Sequence, residues 1–235
     1  MSSQGFVEYD DGDTCLKGYY SGSEVSLKQP VVLIFHDYFG RGEFSKERAD
    51  MLSRMGYIGF AIDLYGKDRF AKDADEASIF MEPFMNDRSL ILRRAEAAVK
   101  AIEKIPHADI TRVAAIGFCF GGLCALDLAR SGADLKGVVG FHTLLKSKKE
   151  RSKIKAKVLI LMGKDDPFET AEEIEDFQKE MTHSKVDWQM HFYGHVVHAF
   201  TNPKVSDKKR GTVYDEVAAR RSYLSMQNFL HEIFL

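Results

Sequence analysis

Hydrophobic residues in this chain fall into two alternating kinds of run. Short unbroken runs, Val31–Phe35, Tyr57–Ile62, Val113–Ile116, Gly137–Phe141 and Val158–Met162, have the length and composition of strands buried on both faces. Between them, apolar positions recur at helical spacing over Phe44–Met55, Asp87–Lys104, Gly122–Arg130, Ala171–Met181 and Val213–Phe234. In the first of these helices Phe44, Met51, Leu52 and Met55 share one side and Gly56 stops it; Pro106 ends the second. Near the N-terminus, Phe6–Tyr9 and Leu16–Tyr20 read as strands around the turn signal "DDGD", and Trp188–Tyr193 adds a last strand. Strands separated by helices predict an α/β fold: a mostly parallel central sheet with helices on both faces and a short antiparallel N-terminal edge. No repeat or low-complexity linker interrupts the pattern, so residues 1–235 read as a single domain.

Composition narrows the functional classes. The net charge is −2 and 45% of the residues are hydrophobic, which suits one well-buried α/β domain. Charges are interspersed, and the longest basic stretch, Lys146–Lys157, is broken by Ser and Glu. No nucleic-acid partner is expected from it. The start, "MSSQGFVEYDDGD", has no apolar core of an export signal, and no run is long enough to span a membrane. Three cysteines in such a chain predict reduced thiols and a cytoplasmic location. No CxxC pair is present, which argues against a structural zinc site; no metal and no cofactor are expected.

Sheets of this kind place chemistry beyond the carboxyl ends of their strands. There, "GFCFGG" at 117–122 stands between a buried strand and a helix, the context of a nucleophile elbow in which Cys119 replaces the usual serine. A sharp turn lifts the central side chain off the sheet and leaves no room for side chains at Gly117 and Gly121. The following helix turns its positive end toward the thiol and favours a thiolate. Cys15 and Cys124 read as packing residues. A nucleophile needs a base and an orienting acid. "GKDDP" supplies Asp165 or Asp166 after one strand, and "GHVVHAF" supplies His195 or His198 after another. The order Cys, Asp, His along the chain is that of α/β-hydrolases.

At these residues the chain resembles the dienelactone hydrolase family of the α/β-hydrolase superfamily. The resemblance is carried by "HDYFG", "DLYG", "GFCFGG", "GKDDP" and "HAFTNP", spread over nearly the whole length. It implies Cys119 as nucleophile, Asp166 as triad acid and His198 as base. Asp166 is favoured because the family acid stands third after the glycine, and His198 because a small residue and Phe follow it. The resemblance also implies backbone N–H groups of Tyr38 and Phe120 as the oxyanion hole, and an acid near the thiol at Asp37, where the family usually has the longer Glu. His36 and His142, at strand ends, are candidates for the substrate pocket. The family's lactone carries a carboxylate held by two arginines. The matching positions here are Asn202, four residues after the histidine, and Arg88, near the start of a long helix. The implied activity is metal-free hydrolysis of small esters or lactones through a thioester acyl-enzyme, with no partner beyond that substrate; the oligomeric state is left open.

Other readings compete with this one. The same triad suits a thioesterase, and the fold suits a catalytically silent binding or regulatory relative. "GRGEFS" at 40–45, with Asp63 ending the next strand, approaches a dinucleotide fingerprint, but Ser45 replaces the third glycine and the strand ends too early for a tight turn. His191, His195 and His198 lack the spacing of a zinc-protease metal site.

Overall fold

The protein is described from a computed structural model covering residues 2–24, 27–66, 69–147 and 153–235. Of the basic stretch Lys146–Lys157, residues 148–152 therefore lie outside the described residues. The chain divides into two units, Met1–Ile116 and Gly117–Leu235.

In the first unit, β1 (Ser2–Asp11) and β2 (Thr14–Ser23) form an antiparallel hairpin closed by Gly12 and Asp13, with Gly12 at φ 58° as such a tight turn requires. Both strands are longer than their apolar cores suggest, because polar residues at their ends pair as well. β2 runs antiparallel to β4 (Ile58–Ala61), which is parallel to β3 (Gln29–Phe35). All seven residues of β3 are buried, as its unbroken apolar run predicts. α1 (Glu43–Arg54) buries Ser45, Ala49 and Leu52 rather than the predicted face of Phe44, Met51, Leu52 and Met55. Small residues win there because β4 comes very close: a Cβ on Gly59 would stand 2.5 Å from the Ala49 Cα. α2 (Ala74–Asn86), absent from the sequence reading, starts at an Asp73 side-chain cap and carries Pro83 inside it. α3 (Arg88–Ala101) follows, capped by Asp87 and extended by a 3₁₀ turn, Ile102–Lys104. β5 (Ala108–Phe118) passes from the first unit into the second.

The second unit begins at the end of β5 and continues with α4 (Phe120–Arg130), β6 (Gly137–Phe141), β7 (Lys157–Gly163), α5 (Ala171–His183) and β8 (Trp188–Tyr193). β6, β7 and β8 pair in parallel. A small antiparallel pair, β9 (Ser206–Asp207) and β10 (Thr212–Val213), precedes the closing helix α6 (Glu216–Phe234). Val213, expected to open that helix, lies in β10; Asp215 is the helix cap, its carboxylate accepting from the Ala218 N–H at 2.8 Å. The eight main strands run in the order β1-β2-β4-β3-β5-β6-β7-β8 and form a mostly parallel sheet with an antiparallel edge. Among the described residues no helix is long and apolar enough to cross a membrane.

Candidate active site

The turn from β5 into α4 is built by close packing. A Cβ on Gly117 would lie 2.2 Å from the Gly121 carbonyl oxygen, so only glycine fits. Cys119 sits between them at φ 54°, ψ −121°, a conformation costing about 1–3 kcal/mol for a residue with a side chain. The surroundings hold it there. The Cys119 N–H donates to the Phe141 carbonyl at 3.0 Å, and its own carbonyl accepts from Gly122 N–H at 3.0 Å. α4 is buried from Phe120 to Ala129, which fixes the helix start and the Phe120 amide in its first turn. The Cys119 side chain keeps partial exposure; Cys124 is buried one turn further on, and Cys15 lies part-exposed in β2.

The acid comes from the turn after β7. A Cβ on Gly163 would meet the Val196 carbonyl at 2.4 Å, so this glycine lets the 164–168 turn lie against the loop after β8. Asp165 and Asp166 then diverge. Asp166 is buried, its Oδ1 accepting from the Phe168 N–H at 2.9 Å and its Oδ2 standing 2.7 Å from His198 Nδ1. Asp165 has a side chain 56% exposed and lies 3.9 Å from His195, whose ring is fully exposed. His198 is 4% exposed. Its backbone is clamped by β10: the N–H donates to Gly211 O and the carbonyl accepts from Val213 N–H, both at 3.0 Å. Val196, Phe200 and Ala218 of α6 pack as an apolar cluster beneath the same loop.

His198 also feels Cys119 electrostatically. Burial pushes its basicity down, but the charge of Cys119 and the Asp166 hydrogen bond outweigh this and raise its pKa to about 10. Thus Asp166 and His198 form a buried hydrogen-bonded pair inside the second unit, within electrostatic reach of Cys119. Such a pair can hold a proton on the imidazole.

Two further groups border this chain. His142, just beyond β6 at φ 36°, stands edge-on to His198 with ring centroids 4.9 Å apart. Its Nε2 is 2.9 Å from Thr201 Oγ1, and burial together with the His198 charge keeps it well below the usual histidine range. Glu169, not anticipated from sequence, accepts from the Leu145 N–H at 3.2 Å through Oε1, while Oε2 is buried with no hydrogen-bond partner among the described residues. Burial pushes this carboxyl up to about 8. Asn202 is part-buried in the turn after His198, its Oδ1 accepting from Lys204 N–H at 3.0 Å.

The remaining candidates belong to the first unit. His36, at the end of β3, is buried and uses both ring nitrogens: Nδ1 lies 2.6 Å from Asp37 O and Nε2 accepts from Leu64 N–H at 3.2 Å. The carboxylate of Asp37 accepts from the Phe39 N–H at 2.9 Å, and the carbonyl of Tyr38 accepts from the Tyr65 hydroxyl at 3.0 Å. Arg88 is buried at the start of α3. Asp63, the residue a dinucleotide site would need for a ribose, is engaged by the N–H groups of Lys17, Tyr65 and Gly66. Among the described residues no group of three or more His, Cys, Asp or Glu side chains could hold a metal ion.

Residues 16–234 match the sequence model of the dienelactone hydrolase family. The crystal structure of a dienelactone hydrolase-like promiscuous phosphotriesterase from metagenomic libraries is similar, with TM-score 0.93 and 36% identity over 99% of this chain and 98% of that one. The carboxymethylenebutenolidase of Pseudomonas putida is 26% identical over 172 residues, covering 69% of this chain and 70% of its own. Protein usf of Aquifex pyrophilus is 26% identical over 223 residues, covering 92% and 93% respectively.

Proposed function

The chain belongs to the dienelactone hydrolase family and has its α/β-hydrolase fold, and on that premise we propose that it hydrolyses small esters or lactones with Cys119 as nucleophile. The observation that carries this reading is the buried Asp166–His198 pair, whose imidazole feels the charge of Cys119 at the elbow. In the proposed cycle, His198 holds the proton and Cys119 attacks as a thiolate. A carbon–sulfur bond forms at the carbonyl, and the oxyanion is met by backbone N–H groups, of which the family resemblance assigns Phe120 within the second unit. The carbon–oxygen bond then breaks, His198 gives its proton to the leaving oxygen, and a thioester remains on Cys119. Neutral His198 next takes a proton from water, whose oxygen attacks the thioester. The acid is released and the thiolate–imidazolium pair returns. Asp166 keeps the imidazole in the tautomer this exchange needs.

The test is to trap the acyl-enzyme. Brief reaction with a short-chain aryl acetate at low pH, followed by peptide mass spectrometry, should place an acetyl group on Cys119 and on no other cysteine. Cys119→Ala should abolish both turnover and adduct while the protein stays folded. Turnover that survives Cys119→Ala would refute the assignment.

One observation favours a second activity on the same residues. The 36% identical structure is that of a promiscuous phosphotriesterase. A neutral aryl phosphotriester presents an electrophilic phosphorus and a good leaving group to the same thiolate, so slow, Cys119-dependent release of the phenolate is expected.

A further inference from the structure

Phe168 keeps 43% of its surface exposed although its ring stands 4.7 Å, centroid to centroid, from the ring of buried His198. Its position is tied: its N–H donates to the Asp166 carboxylate, and two residues later Thr170 caps α5 with a capping box. Among the described residues His198 therefore has two ring neighbours of opposite character. His142 is 3% exposed and closes the core side, whereas Phe168 is the neighbour that meets solvent. A large apolar ring left wet beside a catalytic base is a surface on which a ligand gains by covering it.

From this contact we infer that Phe168 determines leaving-group specificity, favouring esters of apolar, ring-bearing alcohols. The inference rests on the ester-hydrolase reading and deepens it. Nδ1 of His198 is taken by Asp166, so the proton reaches the leaving oxygen from Nε2. That transfer needs the oxygen within about 3 Å of Nε2. The alcohol's carbon chain is then carried past the solvent-facing flank of His198, where Phe168 lies. The acyl group is held on the Cys119 sulfur and is not placed by His198. Phe168 should thus discriminate among alcohols while being indifferent to acids.

The experiment compares two substrate pairs in wild type, Phe168→Ala and Phe168→Leu. The first pair, ethyl acetate and 3-phenylpropyl acetate, differs only in an alcohol of nearly equal acidity. The second, ethyl acetate and ethyl 4-phenylbutanoate, differs only in the acid. Wild type should favour 3-phenylpropyl acetate by roughly tenfold in kcat/KM, the scale of a small apolar contact. Phe168→Ala should bring that ratio to within about twofold of unity, and Phe168→Leu should keep part of it. The acid-side ratio should be unchanged in both variants. Equal losses on every ester, or a change confined to the acid-side ratio, would overturn the inference and leave Phe168 as packing for His198. Absence of Cys119-dependent turnover of any ester would instead overturn the parent reading, and this inference with it. Phe168→Leu, which retains the apolar contact with His198, keeps the comparison decisive if the alanine variant does not fold.

Discussion

Oδ2 of Asp166 lies 2.7 Å from Nδ1 of His198, with both side chains at most 4% exposed, while the neighbouring Asp165 and the nearby His195 face solvent 3.9 Å apart. Two Asp–His pairs thus stand side by side, one buried and hydrogen-bonded, the other exposed. An exposed pair in water is worth little. Asp166→Asn and His198→Ala should each lower kcat on a short-chain aryl ester by ~10²-fold or more. Asp165→Asn and His195→Ala should stay within about threefold. Steady-state kinetics with thermal melts of each variant checks this, and a crippling Asp165→Asn would reverse the assignment.

The elbow should make Cys119 the reactive cysteine of the three. It stands part-exposed at the start of α4, beside an imidazole whose basicity is raised to about 10. Brief iodoacetamide treatment at neutral pH should modify Cys119 before Cys15, and Cys124, buried in α4, should stay unlabelled in the native protein. His198→Ala should slow labelling of Cys119 by roughly tenfold and leave Cys15 unchanged. Site-resolved mass spectrometry reads all three rates, and equal labelling of Cys15 and Cys119 in the wild type would refute the activation.

Glu169 gives the fold a pH dependence of its own. Its folded pKa, about 8, is above the ordinary 4.5, so the folded chain keeps a proton that the unfolded chain releases between those values. The associated stability is complete below about 4.5 and is lost as pH rises to about 8. Glu169→Gln cannot ionise and keeps the oxygen that accepts from Leu145. Its advantage over wild type should be absent near pH 4.5 and grow to roughly 1–2 kcal/mol at pH 8, allowing for solvent screening of a part-exposed carboxyl. Urea midpoints at three pH values give the comparison; a gain that does not depend on pH would contradict a protonated Glu169.

Substrate charge is the next expectation. Asn202 can offer a carboxylate only its amide N–H groups, since its oxygen already accepts from Lys204 N–H. It lacks the charge and the fork of an arginine. A missing charge-assisted contact of ~1.5–3 kcal/mol weakens selection for an anion by roughly one to two orders of magnitude. Neutral short-chain esters should be hydrolysed at least as well as dienelactone, and Asn202→Arg should shift the kcat/KM ratio toward dienelactone. A strong wild-type preference for dienelactone that the substitution leaves unchanged would place the carboxylate elsewhere.

The elements were legible wherever the code is local. Unbroken apolar runs marked β3, β6 and β7, and Trp188–Tyr193 is the strand its composition predicts. The elbow was legible too, because its glycines report a backbone approach that no side chain tolerates. α2 was missed: Pro83 argues against a helix, although the Asp73–Glu76 cap was a usable signal. β9 and β10 were missed because two-residue strands carry no periodicity.

Sequence by itself thus determined the α/β alternation, the family, and a short choice of chemical groups at three strand ends. Which aspartate faces which histidine was a tertiary decision as far as geometry goes. Asp165 and Asp166 are adjacent and chemically identical, and only the close approach of the 196–197 backbone to Gly163, with β10 clamping His198, buries one pair and leaves the other wet. Glu169 and Phe168 acquired their character in the same way. Neither residue belongs to a motif; burial raises the carboxyl of one, and contact with a buried imidazole gives the other its place. Periodicity and turn chemistry act over a few residues and can be read from the chain, whereas desolvation and ring contacts join residues about thirty positions apart and exist only once the chain has folded.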